Sequence, residues 1–265
     1  DILCLVKPVP DVETFKYDYE QNVVVRHNVH QLINPEDATA LALALAIKNK
    51  VPGTSIETVT MAPHGAVAHL EDLIRRGVDR ATLISDVQFV GSDTYVTSRI
   101  IARYLAHKNY DCIFTGTHTL DGGTAHVPAQ IAELLNLPHI SHVSDAYTDA
   151  LPHGKVTVDV DAEEEVLTFE LGLPAILGFA YSTKRKLPYI SFENINRDVS
   201  DRIETITNAE LGFGDDEIGL TGSPTAVAGV EVKTLEQKDT TIVEANGEGV
   251  ETVYRFLVEK GFLRT

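Results

Sequence analysis

Short β-branched and apolar runs alternate with longer helical patterns through the first two thirds of this chain, and that alternation leaves few folds open. Ile2–Lys7 is a continuous apolar run closed by Pro8, the profile of a central strand buried on both faces. Ser55–Met61, Ala81–Ile84 and Cys112–Thr115 read as further strands. Between them, Asn34-Pro35-Glu36-Asp37 supplies an N-cap, a proline at the first helical position and acids in the first turn. An Ala/Leu-rich helix follows to about Asn49. Gly65–Arg76 reads as a helix closed by Gly77, and Ser92 or Asp93 caps another to about Lys108. Val23–Val25 and His30–Ile33 suggest a small hairpin or excursion. Strands separated by helices imply right-handed crossovers and a parallel sheet covered on both faces.

After Leu137 the texture changes. Val143–Tyr147, Val156–Val160, Val166–Leu171 and Ala175–Tyr181 read as four strands, with Pro152-His153-Gly154 as a turn, and an antiparallel extension of the sheet is the economical placement. From Ser182 onward the chain is polar and irregular, with a charged patch at Lys184-Arg185-Lys186 and the run GFGDDEIGLTGSPTAVAG before a final helix at about Gly249–Gly261. That tail is too poor in apolar residues for its own core. The expected organisation is therefore an α/β nucleotide-binding domain over residues 1–182, with residues 183–265 as an arm packing on a partner subunit.

A length of 265 residues suits one sizeable core, or one domain with an appendage. A net charge of −17 argues against binding nucleic acid or an anionic membrane surface, and the absence of Trp removes one kind of stacking platform for single strands. Ile2–Val6 is too short for a signal-peptide core, and no apolar run approaches the roughly 18 residues of a membrane span. Cys4 and Cys112, both within apolar runs, are expected to be buried and reduced, as in the cytoplasm. The histidines form no HExxH motif and no Cys/His cluster, so no metal is expected. No nucleophile with a partnering base stands out. The acidic run Asp159, Asp161, Glu163, Glu164, Glu165 reads as a solvated turn.

Asp111–Pro138 carries the chemistry. It runs from an apolar strand through a Gly-rich loop, Gly116 to Thr124, into an amphipathic helix ending at Leu135. Gly122 and Gly123 let the backbone approach an anion, the first N–H groups of the helix lack intrahelical acceptors, and Thr124 adds a hydroxyl where the helix dipole favours negative charge. This is a phosphate cradle without the GK[ST] of a P-loop or the GxGxxG of a dinucleotide fingerprint. Leu5, Val6, Thr60, Met61 and Ala62 lie at strand ends, where open parallel sheets bind ligands.

Five pieces, in order, resemble the beta (small) subunit of electron-transferring flavoproteins. They are ILCLVKPVPD, LINPEDATALALALAIK, VTMAP, LIRRGVDRATLISD and TGTHTLDGGTAHVPAQIAELLNLP, with GSPTAV near Thr225 as a further anchor. The resemblance implies a flavodoxin- or universal-stress-like α/β sheet and a larger alpha subunit carrying FAD. It also implies a second adenine nucleotide on this chain, either AMP, structural in respiratory members, or a second FAD, which takes hydride from NADH in bifurcating members of anaerobes. VGSDTYVTS and GSPT are similar to the second group, so FAD is favoured over AMP. The cofactor residues implied are Leu5, Val6, Asn34, Asp37, Thr60, Met61, Ala62, Asp93, Thr94, Thr97, Gly116, Asp121, Gly122, Gly123, Thr124, Ala125, His126, Val127, Ser223 and Thr225. Asn34 would act as N-cap, as a contact to the nucleotide's sugar, or both. Asp93 and Thr94 begin a helix, and their flavin role comes from the resemblance. NADH and an acyl-CoA dehydrogenase-type enzyme are the implied redox partners. Alternatives are a non-catalytic AMP-binding scaffold and a stand-alone ATP-binding stress-type module.

The chain departs from the family pattern at Thr117, where a basic residue is usual, at His118 and His126, where Gln is usual, at Gly123 and at Pro128-Ala129. The segment DVDAEEEV has no Arg where the family carries one. A positive charge near a flavin raises its potential, so these changes bear on redox chemistry more than on phosphate binding. An imidazole at His126 can replace the family's Gln as a phosphate donor.

Overall fold

A computed structural model describes residues 1–11, 16–18, 23–25, 30–180, 185–225 and 241–263. Residues 1–226 form one compact unit and residues 227–265 a second. In the first unit, strands β1 (Ile2–Leu5), β6 (Ile56–Met61), β7 (Arg80–Ile84), β8 (Cys112–Gly116), β9 (His139–Tyr147), β10 (Lys155–Asp161), β11 (Val166–Gly172), β12 (Ala175–Phe179) and β13 (Ile203–Ile206) make one sheet. Its order is β11-β10-β9-β12-β8-β1-β6-β7-β13. The pairings from β9 through β12, β8, β1, β6 and β7 to β13 are parallel, and only β9–β10 and β10–β11 are antiparallel.

Strand periodicity divides the core in two. Ile2 and Cys4 point to one face of the sheet and Leu3 to the other. On the first face lie α1 (Pro35–Lys50) and α2 (Val67–Arg75), which bury Leu41, Ala44, Leu70 and Leu73. On the second lie α3 (Thr94–Leu105) and α4 (His126–Leu135), with Val96, Ile100, Leu105 and Ile131. Phe114 and Phe179 stack on neighbouring strands with ring centroids 4.8 Å apart. Each such buried aromatic stabilises the fold by about 1.5–3 kcal/mol.

Several expectations need correction. The strands after Leu137 are not all antiparallel, because β9 and β12 continue the parallel sheet. β13 lies within the stretch expected to be an arm, yet it pairs with β7, and the compact unit ends near residue 226, not at Ser182. Val23–Val25 (β4) does not pair with the strand near His30. It pairs with β3 (Lys16–Asp18), while β5 (Gln31–Ile33) pairs with β2 (Pro8–Pro10). Lys184 and residues 226–240 lie outside the described residues.

In the second unit, a helix spans Gly247–Glu259, and Asn246 caps it by accepting from the Gly249 N–H at 2.9 Å. A Cβ at Gly249 would stand 1.9 Å from the Glu244 carbonyl oxygen, so the cap requires glycine there. Val250, Val253, Tyr254 and Phe256 on this helix are exposed. Among the described residues, no helix is long and apolar enough to cross a membrane, and no group of His, Cys, Asp or Glu could hold a metal ion.

Candidate functional site

A cleft of about 500 Å³ opens where β1, β6 and β8 end. Its floor is Leu5, Val6 and Lys7 after β1, with Thr60 and Met61 of β6. One wall is the start of α3, with Asp93, Thr94, Thr97 and the docked Thr225. The other is the loop after β8 and the start of α4, including Gly116, Gly122, Thr124, Ala125, His126 and Val127. Such a volume falls in the range of small-molecule and cofactor pockets. The position, outside the carboxyl ends of parallel strands, is the one open α/β sheets use.

Three side chains at the start of α1, Asn34, Glu36 and Asp37, hold the cleft's backbone in place. Asn34 donates through Nδ2 to the His118 carbonyl at 2.9 Å and accepts from the Leu120 N–H at 3.2 Å. Glu36 accepts from the His118 N–H at 2.8 Å, with His118 Nδ1 3.1 Å from the same carboxylate. Asp37 accepts from the Lys7 N–H and the Gly116 N–H, both at 2.9 Å. Asn34 holds the N-cap position of α1, with its carbonyl accepting from the Ala38 N–H at 2.9 Å, but its side chain makes no cap and is not part of the cleft lining. Its amide instead pins the loop from behind. Burial pushes the Asp37 carboxyl up to about 7, against hydrogen bonds from Asn34, Gly116 and Lys7 and with a further rise from Glu36. A Cβ at Gly116 would come within 2.5 Å of Asp37 Oδ1, so this close approach excludes every other residue.

The two helix N-termini facing the cleft are chemically unlike. α4 begins at His126, preceded by Ala125 in the left-handed region (φ 56°), and no side chain caps it. Its first N–H groups are left for a ligand. Thr124 sits at the end of the loop ahead of the helix, as expected. α3 is closed instead: Asp93 Oδ1 accepts from the Val96 N–H at 3.0 Å. Asp93 Oδ2 accepts from the Thr225 N–H at 3.1 Å and the Thr225 hydroxyl at 2.7 Å. The Ser223 hydroxyl accepts from the Asp93 N–H at 2.9 Å and donates to the Gly219 carbonyl at 2.7 Å. Desolvation works against ionisation of Asp93, but the hydrogen bonds from Thr225, Val96 and Tyr95 outweigh it and hold the carboxyl below its ordinary range.

Among the described lining residues, Lys7 is the only lysine or arginine, and its Nζ lies 2.6 Å from Asp121 Oδ2. Desolvation opposes ionisation of Asp121 as well, yet the Lys7 and Thr119 hydrogen bonds and the Lys7 charge leave its carboxyl lowered. Thr60 is 2 % exposed, and its Oγ1 has no hydrogen-bond partner. That oxygen has essentially no accessible surface, so it does not open onto the cleft.

Of the residues expected at the site, Asn34, Ala62, Asp121, Gly123 and Ser223 do not line the cleft, whereas the others do. Asp121 and Ser223 are bonded to the lining residues Lys7 and Asp93. Sequence patterning missed Lys7, Ser92, Thr117, His118 and Thr119 as lining residues. A lysine directly after a buried central strand was the available signal for Lys7.

The chain matches the family model described as the electron transfer flavoprotein domain over residues 21–182. It is 34 % identical over 228 residues to the caffeyl-CoA reductase-Etf complex subunit CarD of Acetobacterium woodii, covering 85 % of each chain. It is 31 % identical over 238 residues to the electron transfer flavoprotein subunit beta of Thermoanaerobacterium thermosaccharolyticum, covering 89 % of this chain and 90 % of that one. Protein FixA of Azotobacter vinelandii is 31 % identical over 250 residues, with 92 % and 88 % covered.

Proposed function

The chain belongs to the electron transfer flavoprotein family, among its beta subunits, and from that premise we propose that its cleft binds FAD and relays electrons to the flavin of an alpha subunit. The observation that carries this reading is the pair of unlike helix ends on one cleft. The uncapped start of α4, with Gly122 and Thr124, suits the diphosphate. The capped start of α3, with Thr94 and Thr97, suits a neutral polar group rather than a second anion. AMP would need only the first of these.

When bound, the flavin supplies hydride and single-electron chemistry. The chain's own residues bind and orient it. Asn34, Glu36 and Asp37 fix the loop, Asp93 fixes the α3 end through Ser223 and Thr225, and the apolar floor of Leu5, Val6 and Met61 keeps water out. The electron source in this reading is NADH or a dehydrogenase, with bifurcation between two acceptors as the fuller activity. An acyl-CoA dehydrogenase-type enzyme is the partner, a role that the printed name of CarD's complex supports by analogy. The exposed apolar residues of the Gly247–Glu259 helix support its packing on the alpha subunit. The buried free thiols Cys4 and Cys112, both pushed up by burial, suit a reducing cytoplasmic setting.

Extraction of ligands from the purified alpha–beta complex tests the reading. Two flavins per heterodimer are expected. One flavin plus AMP would replace this reading with the scaffold alternative, and a colourless ATP-binding protein would remove both. Rapid bleaching of the flavin by NADH is the expected sign of the hydride step, and its absence would remove NADH as the donor.

A further inference from the structure

The cleft has an imidazole where a fixed cation would be expected. Lys7, the only lysine or arginine among the described lining residues, is already paired with Asp121. His118 also lines the cleft, with its side chain 48 % exposed. Its backbone is held from both sides, by Glu36 on the N–H and Asn34 on the carbonyl. Nδ1 is turned to the buried Glu36 carboxylate at 3.1 Å, which leaves Nε2 as the nitrogen that can meet a ligand. A carboxylate behind an imidazole fixes the ring's orientation, as second-shell carboxylates do for other functional histidines. Among the described residues, the other titratable groups at the cleft are Asp37 beside Glu36 on α1, Lys7 after β1 with its partner Asp121, and His126 at the start of α4. His142 on β9 stands next to its neighbour Thr117.

We infer that His118, oriented by Glu36, is the cleft's anion-binding cation, so that nucleotide diphosphate binding is coupled to protonation of this imidazole. The inference rests on the nucleotide reading of the cleft and adds its regulation. His118 acts as a positioning and charge-supplying residue: protonated, it donates Nε2–H to a phosphate oxygen, and neutral, with its one proton on Nδ1 facing Glu36, its Nε2 is a lone-pair acceptor with no hydrogen to offer an anion. Cytoplasmic pH then sets how firmly the ligand is held.

Calorimetric titration of ADP-ribose into the full chain, stripped of co-purifying nucleotide, tests this. Its internal diphosphate has no monoester ionisation near pH 6 to confuse the result. Wild type and His118→Gln are compared at about pH 6 and pH 8, with adenosine as the phosphate-free control. The ratio of the variant's Kd to that of wild type should be about five at the lower pH and fall towards one at the higher, as expected of a charge-assisted hydrogen bond lost on deprotonation. Adenosine should show a ratio near one throughout. Asp37, whose carboxyl burial pushes up to about 7, is present in both proteins, so its own titration cancels in the ratio. Glu36→Gln, which keeps His118 but loosens its hold, should give an intermediate ratio. A ratio that does not change with pH, or that changes equally for adenosine, would overturn the inference while leaving the nucleotide reading standing. No binding of ADP-ribose or adenosine by wild type at either pH would instead remove the nucleotide reading itself, and this inference with it.

Discussion

Replacing Asp93 with alanine should be among the most damaging single changes at the cleft, although the residue is a half-buried loop position. Its carboxylate accepts from Val96 N–H at 3.0 Å as the α3 cap, and from the N–H and hydroxyl of Thr225 at 3.1 and 2.7 Å. Loss of the cap costs about 1 kcal/mol, and the two further hydrogen bonds about 1 kcal/mol each. A total of about 3 kcal/mol corresponds to roughly 6–12 °C in Tm for a unit of this size. Asp93→Asn keeps a good capping acceptor and loses mainly the bond from the Thr225 N–H, so it should cost about 1 kcal/mol, or roughly 2–4 °C. The difference has a pH signature. The folded-state carboxyl is depressed below its ordinary value by Thr225, Val96 and Tyr95 acting against burial. The stability it contributes is therefore present above about pH 4 and is lost as pH falls through the lower folded value. Scanning calorimetry of the three proteins at pH 7 and at pH 3–4 checks the sequence of effects. Equal Tm values for the alanine and asparagine variants, or a wild-type advantage that persists undiminished in acid, would refute the clasp.

Asp37 has the opposite sign. Its folded value is raised to about 7 by burial, so its favourable contribution is complete below about pH 4 and disappears as pH rises through neutrality; the stability of Asp37→Asn relative to wild type should improve between pH 5 and pH 8 in chemical denaturation, and a flat difference would argue against the raised value. Gly116→Ala places a Cβ 2.5 Å from Asp37 Oδ1 and 2.7 Å from Glu36 Cβ, so thermal unfolding should reveal a loss of about 1–3 kcal/mol, whereas an unchanged Tm would show that the α1 start yields easily. Thr60→Val removes a buried hydroxyl that has no partner in the protein, so thermal unfolding should show the Tm of the ligand-free chain unchanged or raised; a clear fall in Tm would show that the hydroxyl is bonded in the folded chain.

The parallel sheet was legible because its strands are buried on both faces and read as unbroken apolar runs, as in Ile2–Leu5 and Cys112–Gly116. β13 was not, because Ile203–Ile206 is a short edge strand with two exposed polar residues and no alternating signature. The orientation of β9 and β12 depends on long-range pairing, which local pattern does not encode. The loop after β8 was legible through its glycines, and its expected end at Thr124 falls just before the observed helix at His126, but the backbone turn between them was not. Alanine has no special preference for positive φ, so nothing in the residue type marks Ala125 as the left-handed turn. Asn34 is the N-cap expected, but the partners of its side chain were not legible, for a related reason. An asparagine before a helical proline signals a cap, and only the packed loop shows that its amide faces the other way. The Glu36–His118 pair joins residues far apart in sequence, which no spacing rule brings together.

The central claim, that this beta subunit binds a flavin of its own in the cleft between α3 and α4, is tested most directly by flavin stoichiometry. Acid release and chromatographic quantification of the ligands in the purified alpha–beta complex should give two FAD per heterodimer, and the variant Asp93→Ala should lose one of them. One FAD with one AMP per heterodimer, unaffected by that substitution, would contradict the account.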